Sequence, residues 1–254
     1  SVKGDVEVWR EKLEARHIDG NSLRREFNGD PSILAGFDEG YWWVQDAAAA
    51  MPARLLNVKA GQVVIDLCAA PGGKTAQLIN AGGKVTAIDN NRKRLERLRR
   101  NLKRLGLTAS LILGDGTSYS PKTAVDAVLV DAPCSATGTI RRRPDILNQR
   151  DVGDITGLQQ IQWELATNAL GWLRAGGRMV YATCSLQPEE GEDIVSAIID
   201  EANGRYAIDP ITSDQAGAFA RSITDNGCMR ILPNDYLDIG GVDGFFIARL
   251  ISLD

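Results

Sequence analysis

The chain has 254 residues, with 29 Lys and Arg against 33 Asp and Glu, one His, four Cys and 44% hydrophobic residues. Such a chain can bury roughly 70–75% of its unfolded surface, so it needs neither disulfides nor metal to fold. Its ordinary charged and aromatic contents exclude disorder. No apolar run approaches the roughly 18 residues of a membrane span, and no signal-peptide core follows Ser1-Val2-Lys3-Gly4. The expectation is a reduced, cytoplasmic, monomeric chain, and the missing initiator Met implies processing or a piece of something longer. A net charge of −4 argues, as an average, against a nucleic-acid partner.

Residues 1–50 show no regular rhythm and read as a small appended subdomain, with residues 51–254 as the main domain. A βα alternation begins near residue 61. Val63–Leu67 reads as a buried strand, followed by a Gly-rich turn and a helix to about Ala81. Lys84–Asp89 reads as a second strand, followed by an amphipathic helix with Leu95, Leu98, Leu102 and Leu105 on one side. Ser110–Leu113, Ala127–Val130 and Met179–Ala182 are further strand candidates. A helix is expected from about Asp151 to Leu173, with Gly176-Gly177 as its stop signal, and another from Pro188 to about Ala202. Gly244–Leu250 reads as a last strand. The alternation implies an α/β fold with a mostly parallel sheet covered by helices on both faces.

Charge is unevenly spread. Residues 183–254 hold 13 acidic and 4 basic residues, whereas residues 1–182 carry a net charge of +5. Two clusters make most of that excess: Arg92–Arg104, with eight basic residues and one acidic, and Arg141-Arg142-Arg143. The first is equally a solvated helix face, but its shortage of acidic partners keeps nucleic acid in view.

The chemistry lies at strand ends. Asp66-Leu67-Cys68-Ala69-Ala70-Pro71-Gly72-Gly73-Lys74-Thr75 follows a strand and opens a helix, where open α/β sheets bind ligands. It fails the phosphate-loop pattern, because Ala69 stands where the first Gly belongs, and it fails the dinucleotide pattern. Asp89 ends the second strand and Asp115 follows the third; acids at both places suit the hydroxyls and amino groups of a nucleoside-like ligand without phosphates, such as S-adenosylmethionine. Asp131-Ala132-Pro133-Cys134-Ser135 and Thr183-Cys184-Ser185 also end strands, so two cysteines and an acid converge on the same crevice. The four cysteines form no CxxC pair and no second His exists, so no metal site is expected. His17 reads as a surface residue, and Cys228 as structural. Trp42-Trp43 reads as a buried hinge between subdomains in preference to a stacking face for a base.

DLCAAPGGKT, DAPCSATGTIRRRPD, YATCSLQPEE and DGFFIARL, in this order, closely resemble the signature segments of the Sun/Fmu-type RNA cytosine-C5 methyltransferases, most like the bacterial 16S rRNA branch. The resemblance runs from about Leu13 to Leu250, and Phe37–Asp46 is similar to the family's segment preceding the catalytic domain. It implies a Rossmann-like S-adenosylmethionine-dependent fold with a seven-stranded sheet and methyl transfer to C5 of a cytosine in RNA. It further implies that Cys184 is the nucleophile that adds to C6, that Cys134 assists release of the adduct, and that Asp131 hydrogen-bonds the base. Cofactor contacts carry over to Cys68, Ala69, Ala70, Pro71, Gly72, Gly73 and Lys74, and to Asp89, Arg94, Asp115 and Asp131. Cys68 would contribute backbone only. Lys74 could instead position the base or a phosphate, and Arg141, Arg142 and Arg143 could meet RNA phosphates near the pocket mouth. The family often has a His where Arg143 stands. Its full-length rRNA members usually carry an N-terminal NusB-like RNA-binding domain, so residues 1–50 are expected to be the remainder of an RNA-binding linker.

Two alternatives stay open: the same chemistry on tRNA, and a non-catalytic ribosome-assembly factor that binds cofactor and RNA. Intact Cys134, Cys184 and Asp131 weigh against the second. Amino-methyltransferases carry Asn/Asp-Pro-Pro-aromatic where this chain has Asp131-Ala132-Pro133-Cys134.

Overall fold

The computed structural model describes residues 1–148 and 152–254, to which every statement below refers. The N-terminal part consists of helix α1 (Val6–Lys12), capped by the Asp5 side chain, and the hairpin of β1 (Arg16–Asp19) and β2 (Ser22–Arg24). Val2, Trp9, Leu13 and Trp42 form its own small core. Helix α2 (Met51–Leu55) leads into the main sheet.

That sheet is built from β3 (Val63–Leu67), β4 (Lys84–Asp89), β5 (Ser110–Leu113), β6 (Val125–Asp131), β7 (Leu173–Thr183), β8 (Tyr206–Ile208), β9 (Met229–Ile231) and β10 (Phe245–Ser252). The order is β5-β4-β3-β6-β7-β10-β8, and the short β9 shares the outer edge of β10 with β8. Strands β3 to β7 pair in parallel, and β10 runs antiparallel to β7. The seven strands expected from the resemblance are therefore present, and β9 is an eighth.

Both faces are covered, as the continuous apolar strands require. Val64, Leu129, Val180 and Ile247 face a core with Met51, Leu55 and Leu78, the last from helix α3 (Gly73–Asn80). Their neighbours Ile65, Val128, Val130, Met179 and Phe246 face the other core, with Leu165 of α5 (Val152–Leu170) and Ile194 and Ile198 of α6 (Glu192–Glu201). Side chains alternate across a strand, so adjacent residues supply opposite cores. Helix α4 (Arg92–Arg104) buries Leu95, Leu98 and Leu102 and leaves most of its basic side exposed. A short helix α7 (Ser213–Ala216), closed by a capping box on Thr212 and Gln215, precedes β9.

Two expected boundaries are corrected. Gly176-Gly177 does not stop α5, which ends at Leu170; it lies within β7. Leu173 pairs with Val125 and Arg178 with Ala127, so β7 makes an excursion between them. Gly176 turns it at φ +70, and Arg174 anchors it on Asp126 at 2.6 Å. A glycine pair marks a tight turn, and here the turn is a strand bulge. The Pro188 segment is a 3-10 turn (Pro188–Glu190) separated from α6 by Gly191, whose φ of −130 and ψ of −90 break the helix. The expected helix start at Asp151 lies outside the described residues.

Candidate active site

Because β3 to β7 are parallel, the residues that follow Leu67, Asp89, Leu113, Asp131 and Thr183 all lie at one edge of the sheet. Strand β10 enters from that edge, with Phe246 paired to Thr183. All four signature segments are thereby gathered in one place.

The loop from Cys68 to Gly72 turns the chain from β3 into α3, with Cys68 at φ +57 and the Ala70–Pro71 peptide cis. Asp89 is buried; its Oδ2 accepts from Ala70 N at 3.2 Å and lies 3.2 Å from the Arg94 guanidinium, while Oδ1 accepts from Asn91 N at 3.0 Å. Arg94 also donates to the Ala70 carbonyl at 3.0 Å. These bonds hold the loop against the end of β4 and leave the carboxylate, with about four acceptor sites, room for a further donor. Asp115 is exposed and accepts from Thr117 N and Oγ1 at 2.9 and 2.8 Å, so its side chain caps its own loop. Burial, with Asp131 and Asp89 adding to it, pushes the Cys68 thiol up to about 12. A thiol held there does no thiolate chemistry, which suits a backbone role.

Lys74 projects from the first turn of α3 to Asp131 at the end of β6, Nζ to Oδ2 2.8 Å, and stands 5.4 Å from the Phe245 ring centre. Burial opposes its charge, but Asp131, the hydrogen bond to it, and nearby Cys184 and Asp66 outweigh that and raise its pKa. Lys74 therefore stays an ammonium, a fixed positive charge beside Cys184. Beneath it Asp66 is fully buried: Oδ2 accepts from Thr75 Oγ1 at 2.6 Å, and Oδ1 has no partner.

The two strand-end cysteines meet. Cys134 Sγ and Cys184 Sγ are 3.5 Å apart, Cys134 buried and Cys184 partly exposed. The hydrogen bond to Cys184, burial, and the charges of Cys184 and Glu190 raise the Cys134 thiol well above its ordinary range. Cys184 lies on the side of the pair that interacts with Lys74 and Arg142. A sulfur anion at 184 faces two cations, whereas one at 134 faces an acid. The loops that carry the sulfurs cross closely: Gly138 N donates to the Cys184 carbonyl at 2.9 Å and Gly244 N to the Gly138 carbonyl at 2.8 Å.

The arginine cluster is less free than its sequence implies. Arg142 forks onto Asp243, with Nε to Oδ1 at 2.8 Å, and Arg141 lies 3.5 Å from Asp243 and 3.6 Å from Asp46. Arg143 pairs with Asp145 at 2.9 Å. Trp42 and Trp43 are both buried, on opposite sides: Trp42 joins the N-terminal core, and Trp43 packs with Ala69, Ala70 and Leu98 beside the glycine loop. His17 is exposed, its Nε2 2.8 Å from the Gly20 carbonyl, and Cys228 is buried in the core. Among the described residues no cluster of three or more His, Cys, Asp or Glu could hold a metal ion.

Asp66, Asp243 and Glu190 were not singled out by sequence reasoning, although each stands inside a signature segment. For Asp66 and Asp243, an acid inside an otherwise small or apolar motif at the end or the start of a strand is the signal that could have marked them; Glu190, beside an identical Glu189 in the turn beyond β7, carries none.

A mostly parallel sheet with its chemistry on the carboxyl edge defines the Rossmann-like methyltransferase fold. The chain aligns over 98% of its length with a methyltransferase homolog protein from Pyrococcus horikoshii, covering 83% of it, at TM-score 0.79 and 28% identity. It aligns over 89% with NSun6 from Pyrococcus horikoshii, crystallised with SFG, covering 57% of it at TM-score 0.75 and 32% identity. A family model described as 16S rRNA methyltransferase RsmB/F matches residues 53–251. Ribosomal RNA small subunit methyltransferase B of Pseudomonas syringae pv. tomato is 41% identical over 230 residues, 88% of this chain and 50% of that protein. The chain belongs to the RsmB/F family. It spans about half the length of the curated relatives it matches.

Proposed function

We propose that this chain is the catalytic part of an enzyme that methylates C5 of a cytosine in RNA, small-subunit ribosomal RNA being the substrate class. Residues 51–254 are the catalytic domain and residues 1–50 the end of an RNA-binding linker. The observation that carries this reading is the sulfur pair, Cys134 and Cys184 at 3.5 Å, set beside Lys74–Asp131 at the sheet's carboxyl edge.

The cofactor is S-adenosylmethionine, which supplies an electrophilic methyl group when bound. The residues fit it. Asp66 Oδ1 is a buried acceptor without a protein donor, Asp131 adds a second acid near it, and Asp89 keeps acceptor capacity for a ribose hydroxyl. The backbone from Cys68 to Gly73 would line the cofactor, Lys74 would hold Asp131 in place, and Asp115 would meet the far end. NSun6, crystallised with SFG, an S-adenosylmethionine analogue, supports the same choice.

C5 of cytosine is a weak nucleophile and needs covalent activation. The Cys184 sulfur anion bonds to C6 and the 5,6 double bond gives up its electrons to C5; with the cofactor bound, C5 would take the methyl group as the methyl–sulfonium bond breaks and its electron pair stays on the cofactor's sulfur. The C5 proton then passes to water, the 5,6 double bond re-forms, and the C6–S bond breaks with its electron pair returning to Cys184. Asp131, ion-paired with Lys74, accepts a hydrogen bond from the exocyclic amine of the base, and the Lys74 ammonium offsets the charge that builds at N3. The hydrogen bond to Cys184 and burial favour the protonated form of Cys134 in the resting protein, and from 3.5 Å it assists release of the adduct.

Labelled methyl transfer to separated RNA fractions tests this. Cys184→Ala should lose at least about a thousandfold in turnover, as removal of a covalent nucleophile does. Near-normal turnover would refute the assignment. Methylation confined to the tRNA fraction would move the same chemistry to the other substrate.

A further inference from the structure

We propose that Glu190 is a positioning residue of the two-cysteine centre, joining the loop of Cys134 to the loop of Cys184 and setting which sulfur keeps the proton. The proposal rests on reading this edge as the reacting centre, but not on what that centre does to RNA.

Glu190 is wholly buried, and nothing in the sequence of the motif marks it out from Glu189 beside it. Its Oε1 accepts from Ser135 N at 2.8 Å and Gln162 Nε2 at 3.0 Å, and its Oε2 from Ser135 Oγ at 2.5 Å. Its carbonyl accepts from the Tyr181 hydroxyl at 2.8 Å. Ser135 follows Cys134, and its hydroxyl lies 3.1 Å from the hydroxyl of Ser185, which follows Cys184. Thr137 Oγ1 stands 3.3 Å from Ser185 Oγ and accepts from Leu186 N at 2.9 Å.

A carboxylate accepts only, so it fixes the direction of every proton in this chain. Ser135 spends its one hydroxyl proton on Glu190 and must accept from Ser185. Ser185 then accepts from Thr137. The hydroxyls run one way, Thr137 to Ser185 to Ser135 to Glu190, and each bond polarises the next. Both residues that follow the cysteines are thus locked to a single buried acid.

The same charge acts on the sulfurs. Glu190 and the Tyr181 hydroxyl stand on the Cys134 side, whereas Lys74 and Arg142 interact with Cys184. The acid opposes negative charge on Cys134 and so biases the proton of the pair toward that sulfur. A neutral amide at 190 removes that bias and sets an N–H donor where the relay needs an acceptor.

The test uses the full chain without RNA or cofactor: iodoacetamide labelling from pH 6 to 9, with the Cys184 and Cys134 peptides quantified separately. In the parent protein Cys184 should label at least about tenfold faster than Cys134; in Glu190→Gln its rate should fall at least about fivefold and the ratio should approach unity, because thiolate fraction sets alkylation rate. A folded Glu190→Gln protein with an unchanged ratio and pH profile overturns the proposal. If that variant does not fold, Ser135→Ala breaks the relay while leaving both Oε1 bonds possible; it should narrow the ratio about threefold, and an unchanged ratio again overturns the proposal. A chain that labels as expected but methylates no RNA would refute the methyltransferase reading and leave the role of Glu190 standing.

Discussion

Asp66 sits under the glycine loop with one oxygen bonded to Thr75 and the other without a partner, and burial, with Asp131 and Asp89 nearby, pushes its carboxyl up to about 7. A raised carboxyl means that the folded chain keeps a proton the unfolded chain would release. Its stabilising contribution is therefore complete below about pH 4 and is lost as the pH rises through about 7. The difference amounts to something on the order of 4 kcal/mol. Asp66→Asn should flatten the fall in melting temperature between pH 4 and 8, measured without cofactor; an identical slope in the variant would contradict the assignment. At the same scale the cysteines were legible in sequence, since each ends an apolar strand inside a specific motif. Glu190 was not. Its neighbour Glu189 is the same residue type, and only the fold shows which of the two turns into the core.

Three loops, after β6, after β7 and before β10, carry the site as elements. Their closest approach is at Gly138, where an added Cβ would stand 2.3 Å from the Gly244 carbonyl oxygen and 2.9 Å from that of Cys184. Neither backbone can move without moving a signature segment. Gly138→Ala should cost about 2 kcal/mol or more, as overpacking does, and should slow methyl transfer in the fraction that still folds; a thermal melt and turnover per folded molecule measure the two. Unaltered stability would mean that the loops yield there. The strands of this edge were readable because buried parallel strands are short apolar runs, and Val63–Leu67, Lys84–Asp89 and Ser110–Leu113 have the expected ends. Tyr206–Ile208 and Met229–Ile231 were not, because three residues carry no periodicity. Gly176-Gly177 was read as a helix stop and is a bulge within β7, since bulge and helix stop use the same residues.

Across the whole molecule, the N-terminal part is joined to the main sheet and its helices by side chains reaching backbone. Arg104, at the end of α4, donates to the carbonyls of Phe37 and Trp42, with its guanidinium 3.8 Å from the Phe37 ring centre. Arg24 donates to the Gly241 carbonyl at 2.7 Å, beside the Asp243 that holds Arg142. Part of the basic excess of residues 1–182 is thus spent on structure. Arg104→Ala should lower stability by about 1–3 kcal/mol, a fall of several degrees in melting temperature; no change would mean that the N-terminal part docks without it. This docking could not be seen in sequence, where residues 1–50 lack periodicity and their partners lie far along the chain. The average charge of −4 misled for a related reason. It hid an acidic C-terminal third whose Asp243 pairs with Arg141 and Arg142 next to the site, while α4 keeps most of its basic residues exposed. Covalent attack by Cys184 on the base is tested most directly by trapping. Cys134→Ala protein incubated with S-adenosylmethionine and small-subunit rRNA should yield a protein–RNA complex that survives denaturing electrophoresis, and Cys134→Ala combined with Cys184→Ala should yield none. A complex that persists without Cys184, or full turnover by Cys184→Ala with no complex in any variant, would contradict it.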